Sequence, residues 1–497
     1  MTGLEQHLPA LQVVVPMLTA PLVILLRPRG LAWAATTAAS FCAFAIALKL
    51  AAMVLGGDTP RYMMGGWPAP YGIELAIDAF SALLLLIITG ASSITLTAAR
   101  RSVDSQIGGE RQPLFYAAWL LALAGLAGIA VSADAFNIFV FMEISSLASY
   151  VLVAGGPDRR ALPAVFKYLS MGTIGATFYL IGVGLIYMMT GTLNLADMAE
   201  RLADASDPRP VLVAAGFITT GLALKAAVFP LHLWLPNAYT YAPHMVTAFL
   251  AACATKVSLY ILLRFDFFVF QPNLLEHGVQ FARFLMPLAL LALVVASGVA
   301  LFERNLKRLL AWSSVAQIGY MTLGASLLTT TGLTAGVLHM FNHALAKGAL
   351  FLAVAGLASS CRGVRLDEIS GAGRYMPWTM GAFVVAGLSL IGVPGTAGFV
   401  SKWYLLSAAL ATEGFGYLLA GLIVVTSLMA LAYIWRVVEA AYFGEPPEGD
   451  TPRGEAPRIL IAAAWTAALA NIWFGLSPAI PVELAGRAAT LLLGYIP

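Results

Sequence analysis

Apolar runs of about twenty residues, separated by short polar breaks, recur from one end of the chain to the other. Twenty residues of α-helix rise about 30 Å, the thickness of a bilayer's hydrocarbon core. The pattern predicts about fourteen membrane helices, at 7–26, 31–55, 75–98, 114–132, 134–155, 163–190, 210–230, 242–266, 283–302, 308–328, 332–357, 378–410, 415–440 and 458–477. A last apolar stretch, 483–495, is too short to span and is expected at the interface. The longest loops are 56–74, rich in Gly, Pro and aromatic residues, and 191–209, which reads as a short amphipathic helix. The fold class is therefore an all-α polytopic membrane protein without a sizeable soluble domain.

Composition agrees: 60% of the 497 residues are hydrophobic and 11% charged, against about 25% charged in soluble proteins. The net charge of +3 says little about partners, because most basic residues fall in loops. Their distribution sets orientation. Arg27 and Arg29, Arg100, Arg101 and Arg111, Arg159 and Arg160, Arg304, Lys307 and Arg308, Arg362, Arg365 and Arg374, and Arg436, Arg453 and Arg458 all follow odd-numbered helices. After even-numbered helices come only Arg61, Arg201, Arg209 and a few residues flanking helices eight and nine. The positive-inside rule puts the odd loops in the cytoplasm and both termini outside. Glu5 precedes the first apolar run, where a cleavable signal would carry basic residues. Cys42, Cys253 and Cys361 show no metal or disulfide spacing and read as small apolar fillers. No nucleotide-binding loop or CxxC pattern is visible, so neither ATP use nor electron transfer by this chain is expected.

Two of the expected helices are interrupted. The seventh carries Phe229-Pro-Leu-His-Leu-Trp-Leu-Pro236 and the twelfth carries Gly392-Val-Pro-Gly-Thr-Ala-Gly398. Proline removes a backbone donor and clashes with the preceding turn. In a membrane such a break is tolerated where it is buried in protein or lines a cavity. Broken helices in corresponding places predict two inverted five-helix repeats, helices 4–8 and 9–13. The expected division is 1–113, an N-terminal three-helix region; 114–266 and 283–440, the two repeats; and 441–497, a C-terminal helix and tail.

Ionisable residues stand inside several of these runs, where insertion costs roughly 2.5–3.5 kcal/mol each. Glu143 is followed by Ser145, Ser146 and Ser149. It is expected to pair with a lysine of another helix, most plausibly Lys225; the plain alternative is a static salt bridge that fixes packing. Lys256 lies mid-run, with snorkelling to an interface as its alternative. His339, His343 and Lys347 recur at i, i+4 and i+8, on one helical face. They read as a titratable string, with a metal or haem site, or a hydrogen-bonded core histidine, as rivals. No HExxH carboxylate or third ligand accompanies them. Lys402 follows the second break and is the candidate terminal group; beside Trp403 and Tyr404 it could instead be an interfacial anchor. His232, between two prolines, either links Lys225 to a gate or caps carbonyls freed by the break. Ser313, Ser314, Gln317 and Tyr320 could hydrate a path in the second unit. Burial disfavours the charged form of a lysine, so lysines in a dry core are usable proton carriers.

The strings Lys225 with Phe229–Tyr239 and Ala242-Pro243, Asn305–Tyr320, His343–Lys347 and Gly392–Phe399 resemble the antiporter-like subunits of the complex I superfamily, over roughly residues 70–440. Within it, Asn137–Leu152 and the overall length are most similar to the D-type subunit of the multisubunit Mrp-type Na⁺/H⁺ antiporter. The resemblance implies fourteen helices in two inverted repeats, a glutamate–lysine pair at Glu143 and Lys225, a central lysine at Lys256, the helix-eleven groups His339, His343 and Lys347, and Lys402 on helix twelve. It implies a transporter subunit of a bacterial inner membrane rather than an enzyme, without cofactor or metal. Its partners would be other membrane subunits, the bilayer, protons and a monovalent cation, with no nucleic acid. The alternative within the superfamily is a proton-pumping subunit of a respiratory NADH:quinone oxidoreductase or membrane-bound hydrogenase. Other classes to separate are a stand-alone solute carrier and a haem- or metal-bearing membrane oxidoreductase.

Overall fold

Capping residues set the starts of many helices. Asp78 accepts from the Ser81 amide and opens α3 (Ala79–Gln106); Asp134 accepts from Asn137 and opens α5 (Ala135–Ala154). Asp207, Asn305 and Thr329 do the same for α8 (Pro208–Lys225), α12 (Leu306–Ser326) and α13 (Thr330–Ser360). The computed structural model describes residues 3–26, 29–203, 207–270, 281–446 and 454–494. Arg27 and Arg453 of the orientation argument lie outside the described residues. The remaining helices are α1 (Leu8–Leu25), α2 (Arg29–Leu55), α4 (Gln112–Val131), α6 (Ala161–Thr190), the short α7 (Leu195–Ala203), α9 (Leu235–Tyr241), α10 (His244–Leu263), α11 (Phe281–Phe302), α14 (Ala372–Tyr375), α15 (Pro377–Ile391), α16 (Ala397–Leu410), α17 (Gly416–Phe443), α18 (Arg458–Leu476) and α19 (Ala479–Leu492).

Among the described residues, eleven helices are long and apolar enough to cross a membrane. The other expected crossings are α12, made less apolar by Lys307, Arg308 and its serines, and the broken pairs α8–α9 and α15–α16. In the first break the chain leaves the helix at Lys225, with Ala227 left-handed (φ 58°) and a cis Phe229–Pro230 bond. In the second, Gly392 (φ 93°) ends α15, a conformation glycine adopts at little cost.

The loops sort into two faces. Asp158, Arg160, Ala242, Arg304, Lys307 and Arg365, all after odd-numbered crossings, surround one cavity, and Asn305 bridges to Arg365. On the other face Leu75 bridges Ser132 and Asp134 bridges Asn194, joining loops after the second, fourth and sixth crossings. Five crossings per unit reverse the entry side of the second, the inverted arrangement expected.

Close packing depends on glycine where α6 crosses α8. A Cβ on Gly221 would collide with the Gly175 carbonyl, and one on Gly182 would lie 2.8 Å from the Ala214 carbonyl. Small residues let membrane helices approach closely. Gly221→Val is expected to cost about 1–3 kcal/mol through overpacking, read as a lowered melting temperature of the detergent-solubilised complex.

Two segments outside the fourteen crossings have structure of their own. Loop 56–74 leads into a two-stranded antiparallel hairpin, Arg61–Met63 with Glu74–Ala76, whose Glu74 carboxylate is buried between Arg61 (3.0 Å) and Asn194 (3.0 Å). The C-terminal stretch is helix α19, packed on α3 and α13. Leu484, Ala485, Ala488 and Ala489 form its buried face, while Arg487 donates to the Val54 and Leu55 carbonyls at the end of α2.

Candidate functional site

Lys225 is the last helical residue before the first break, and its buried side chain turns towards α5. Its Nζ lies 3.3 Å from Glu143 Oε1 and donates to Ser146 Oγ at 2.8 Å. At the break the Leu224 carbonyl accepts from the Ala227 amide and from the Trp234 indole at 3.0 Å. Behind the pair is a small cavity of about 30 Å³ lined by Ser146, Ser149, Tyr150, Tyr168 and, across on α10, Ser258. That is room for a water among hydroxyls. His232 does not reach this pair. Its ring stacks on Phe229 (centroids 5.0 Å apart) and meets Trp312 of α12 edge-on.

Lys256 stands mid-helix in α10 with 1% of its surface exposed, so it does not snorkel. Its Nζ donates to the Ala251 carbonyl of its own helix. α10 packs along α13, the helix that carries His343 and Lys347.

On α13 the two imidazoles lie nearly parallel with centroids 6.2 Å apart. His339 is held on both sides: Nε2 is 2.7 Å from Gln317 Oε1 and Nδ1 is 2.8 Å from Ser401 Oγ. An amide oxygen only accepts, so Nε2 carries a hydrogen towards Gln317, while the Ser401 hydroxyl facing Nδ1 also reaches the Gly398 carbonyl at 3.2 Å. His343 is equally buried, yet neither of its ring nitrogens has a hydrogen-bond partner among the described residues. Lys347, fully buried, donates to the Leu310 carbonyl at 2.6 Å and to Ser313 Oγ. The string is thus held at one end by Gln317 of α12 and Ser401 of α16, and at the other by Ser313 and the Leu310 carbonyl of α12.

Lys402 is buried and is not an interfacial anchor. Its Nζ donates to the Leu390 and Ile391 carbonyls at 3.1 and 2.8 Å, the end of α15 at the second break, and to Ser427 Oγ at 3.1 Å. It also lies 4.6 Å from the ring centre of Tyr320, whose hydroxyl is 2.8 Å from that of Thr426. Ser401, next to Lys402, is the residue bonded to His339, so the second break touches the histidine string directly.

The structure therefore gathers the expected residues into two clusters, Glu143–Lys225 in the first unit and His339–His343–Lys347–Lys402 in the second, with Lys256 between them. Sequence reasoning missed three polar features. Ser401 looked like an ordinary helix residue. Arg264 is buried in an ion pair with Asp78 (2.7 Å), which also caps α3. Asp266, also buried, accepts from Thr219 at 2.8 Å. Both Arg264 and Asp266 fall at the end of the apolar run 242–266, where charge is ordinary. Between the units, on the odd-loop face, opens a cavity of about 590 Å³ lined by Arg160, His244, Arg304, Lys307, Arg308 and Glu368, among others. At its rim the Arg160 guanidinium, hydrogen-bonded to Asp158, holds that carboxyl below its ordinary range.

Residues 132–430 match the family described as NADH:quinone oxidoreductase/Mrp antiporter, TM. The N subunit of the NADH-quinone oxidoreductase of Desulforudis audaxviator is 42% identical over 91% of this chain and 89% of its own length. The D subunit of the Na(+)/H(+) antiporter of Bacillus subtilis is 29% identical over 97% and 96%. A chain of the Mrp complex from Dietzia sp. DQ12-45-1b superposes with a TM-score of 0.88 at 28% identity, covering 99% of this chain and 98% of that one. The chain belongs to the family of antiporter-like membrane subunits that NADH:quinone oxidoreductases and Mrp antiporters share.

Proposed function

We propose that this subunit moves protons along the line of buried groups from Glu143–Lys225 through Lys256 to His339, His343, Lys347 and Lys402. The observation that carries the reading is the second cluster: inside an apolar core, His339, Lys347 and Lys402 are held by serines, a glutamine and backbone carbonyls, and the buried His343 stands between them with no partner among the described residues. Neighbouring sites couple strongly. Two unit charges about 6 Å apart, as the paired imidazoles are, interact by roughly 3 kcal/mol at an effective dielectric constant of 20. That is about a hundredfold in proton affinity, enough for arrival of one proton to drive release of the next.

The host complex in this reading is an Mrp-type antiporter exchanging a monovalent cation, Na⁺ by preference, for protons with other membrane subunits. The end-to-end superposition on the Mrp chain supports it. A second reading, a proton-pumping subunit of an NADH:quinone oxidoreductase-type complex, is favoured by the 42% identity to an oxidoreductase N subunit. Purification with native partners separates the two. Small membrane subunits alone are expected; flavin and iron–sulfur subunits in the same complex would overturn the antiporter reading. Orientation follows from the clustering of basic loops: the odd-loop face is cytoplasmic, both termini are external, and the membrane is the bacterial inner membrane. Proton movement itself is tested by Glu143→Gln, which keeps volume and removes charge. It is expected to lower ΔpH formation in everted vesicles about a hundredfold, whereas wild-type rates would contradict the relay.

A further inference from the structure

Beyond α10 the chain continues in wider, π-type turns over Arg264–Phe270, a geometry that recurs at functional sites. Asp266 sits in this segment, 5% exposed. Thr219 of α8, itself 8% exposed, donates to its Oδ1. The second oxygen, Oδ2, is buried and has no partner among the described residues.

No cation among the described residues answers this carboxyl. On α10 and the segment itself, Arg264 is committed to Asp78 and Lys256 to the Ala251 carbonyl. On α8, Lys225 pairs with Glu143, and Arg209 with Asp207 at the helix start. On α7, Arg201 is held by Asp197, and Glu200 is exposed. On α11, Arg283 is exposed, and on α19 Arg487 pairs with Glu483. An ionised carboxylate buried with one hydrogen bond and no countercharge is costly. A dehydrated metal cation would need several oxygen ligands, and among the described residues the side chains at this point offer a carboxyl and one hydroxyl. A proton satisfies the group alone.

The placement gives the site a use. Thr219 is six residues before Lys225, about 9 Å up the helix axis, and the π-type segment packs against α7 on the face made by the loops after even-numbered crossings. Asp266 therefore lies between the level of Lys225 and that face. We propose that Asp266, hydrogen-bonded by Thr219, is a proton-holding site through which the first unit exchanges protons with the even-loop side. In the exchange the Oδ2–H bond breaks, the proton passes to water at that face, and the carboxylate left behind keeps the Thr219 bond until it is reprotonated. The exchange role rests on the relay reading above; the protonated state of Asp266 does not.

The test uses the whole complex in native membranes. Difference infrared spectra of wild type against Asp266→Asn at neutral pH are expected to show a carboxylic acid C=O stretch that the variant lacks. Proton transport in Asp266→Asn should fall about a hundredfold with normal assembly, and Asp266→Glu should restore much of it. Lys225→Ala should lose transport but keep the infrared band. If Lys225→Ala transports normally while Asp266→Asn does not, the lysine relay has failed and the Asp266 site stands. Absence of the acid band in wild type, a carboxylate band there that shifts with added Na⁺, or wild-type transport by an assembled Asp266→Asn would each overturn the proposal.

Discussion

Replacing Lys225 with alanine is expected to lower proton transport in everted vesicles by about a hundredfold or more, with the complex still assembled. Two effects add. The lysine is the only basic partner of Glu143 among the described residues, at 3.3 Å, so its loss leaves a carboxylate facing Ser146 without countercharge. Removing one partner of a buried pair costs about 3–5 kcal/mol. Glu143 retains some exposure, so the lower end is expected in the form of a modestly reduced melting temperature. The second effect is kinetic: the break places Lys225 beside the hydroxyl-lined cavity that faces α10, and without the amine a proton has no carrier between Glu143 and that cavity. The measurement is dye-reported ΔpH in vesicles of matched subunit content, with subunit stoichiometry checked by immunoblot.

Lys402→Met is expected to affect both stability and transport. The amine satisfies two backbone carbonyls at the second break, Leu390 and Ile391, which the helix cannot satisfy because Gly392 turns the chain away. Methionine keeps the stem, which packs across Gly392, and removes the donor. Each buried carbonyl left unpaired costs about 1–3 kcal/mol, so destabilisation of about 2–6 kcal/mol follows for the pair. Thermal unfolding of the solubilised complex checks this. Transport should fall with it, because the amine lies over the Tyr320 ring, which meets the His339 imidazole edge-on, and Ser427 bonds both the amine and the Tyr320 hydroxyl. An unchanged melting temperature would mean that the α15–α16 break is held by something other than Lys402.

Much of this arrangement was legible because charge in an apolar run is conspicuous. Glu143, Lys225, Lys256, Lys347 and Lys402 each stand as a lone charge within a long apolar run, and all prove buried or half-buried, facing partners on other helices or, for Lys256, on its own. The broken helices were equally visible, since proline and glycine clusters have few other uses mid-membrane. What stayed hidden had no such contrast. Ser401 is a small hydroxyl whose importance lies in facing His339, a relation made by tertiary packing. Asp266 sits two residues after Arg264 at the end of a run, where charge is ordinary. The Gly175–Gly221 crossing needs two helices to meet before either glycine has a reason. His232, whose place between prolines suggested a link to Lys225 or a cap on the break, packs its ring against Phe229 and Trp312.

The central claim is that these charges move protons rather than merely hold helices together, and Lys225→Arg separates the two. Arginine keeps the positive charge and can still pair with Glu143, but it does not release its proton in proteins. A static ion pair would tolerate the change; a relay would not. The account predicts a normally assembled complex whose ΔpH formation in everted vesicles falls to the level of Lys225→Ala, and wild-type transport by Lys225→Arg would contradict it.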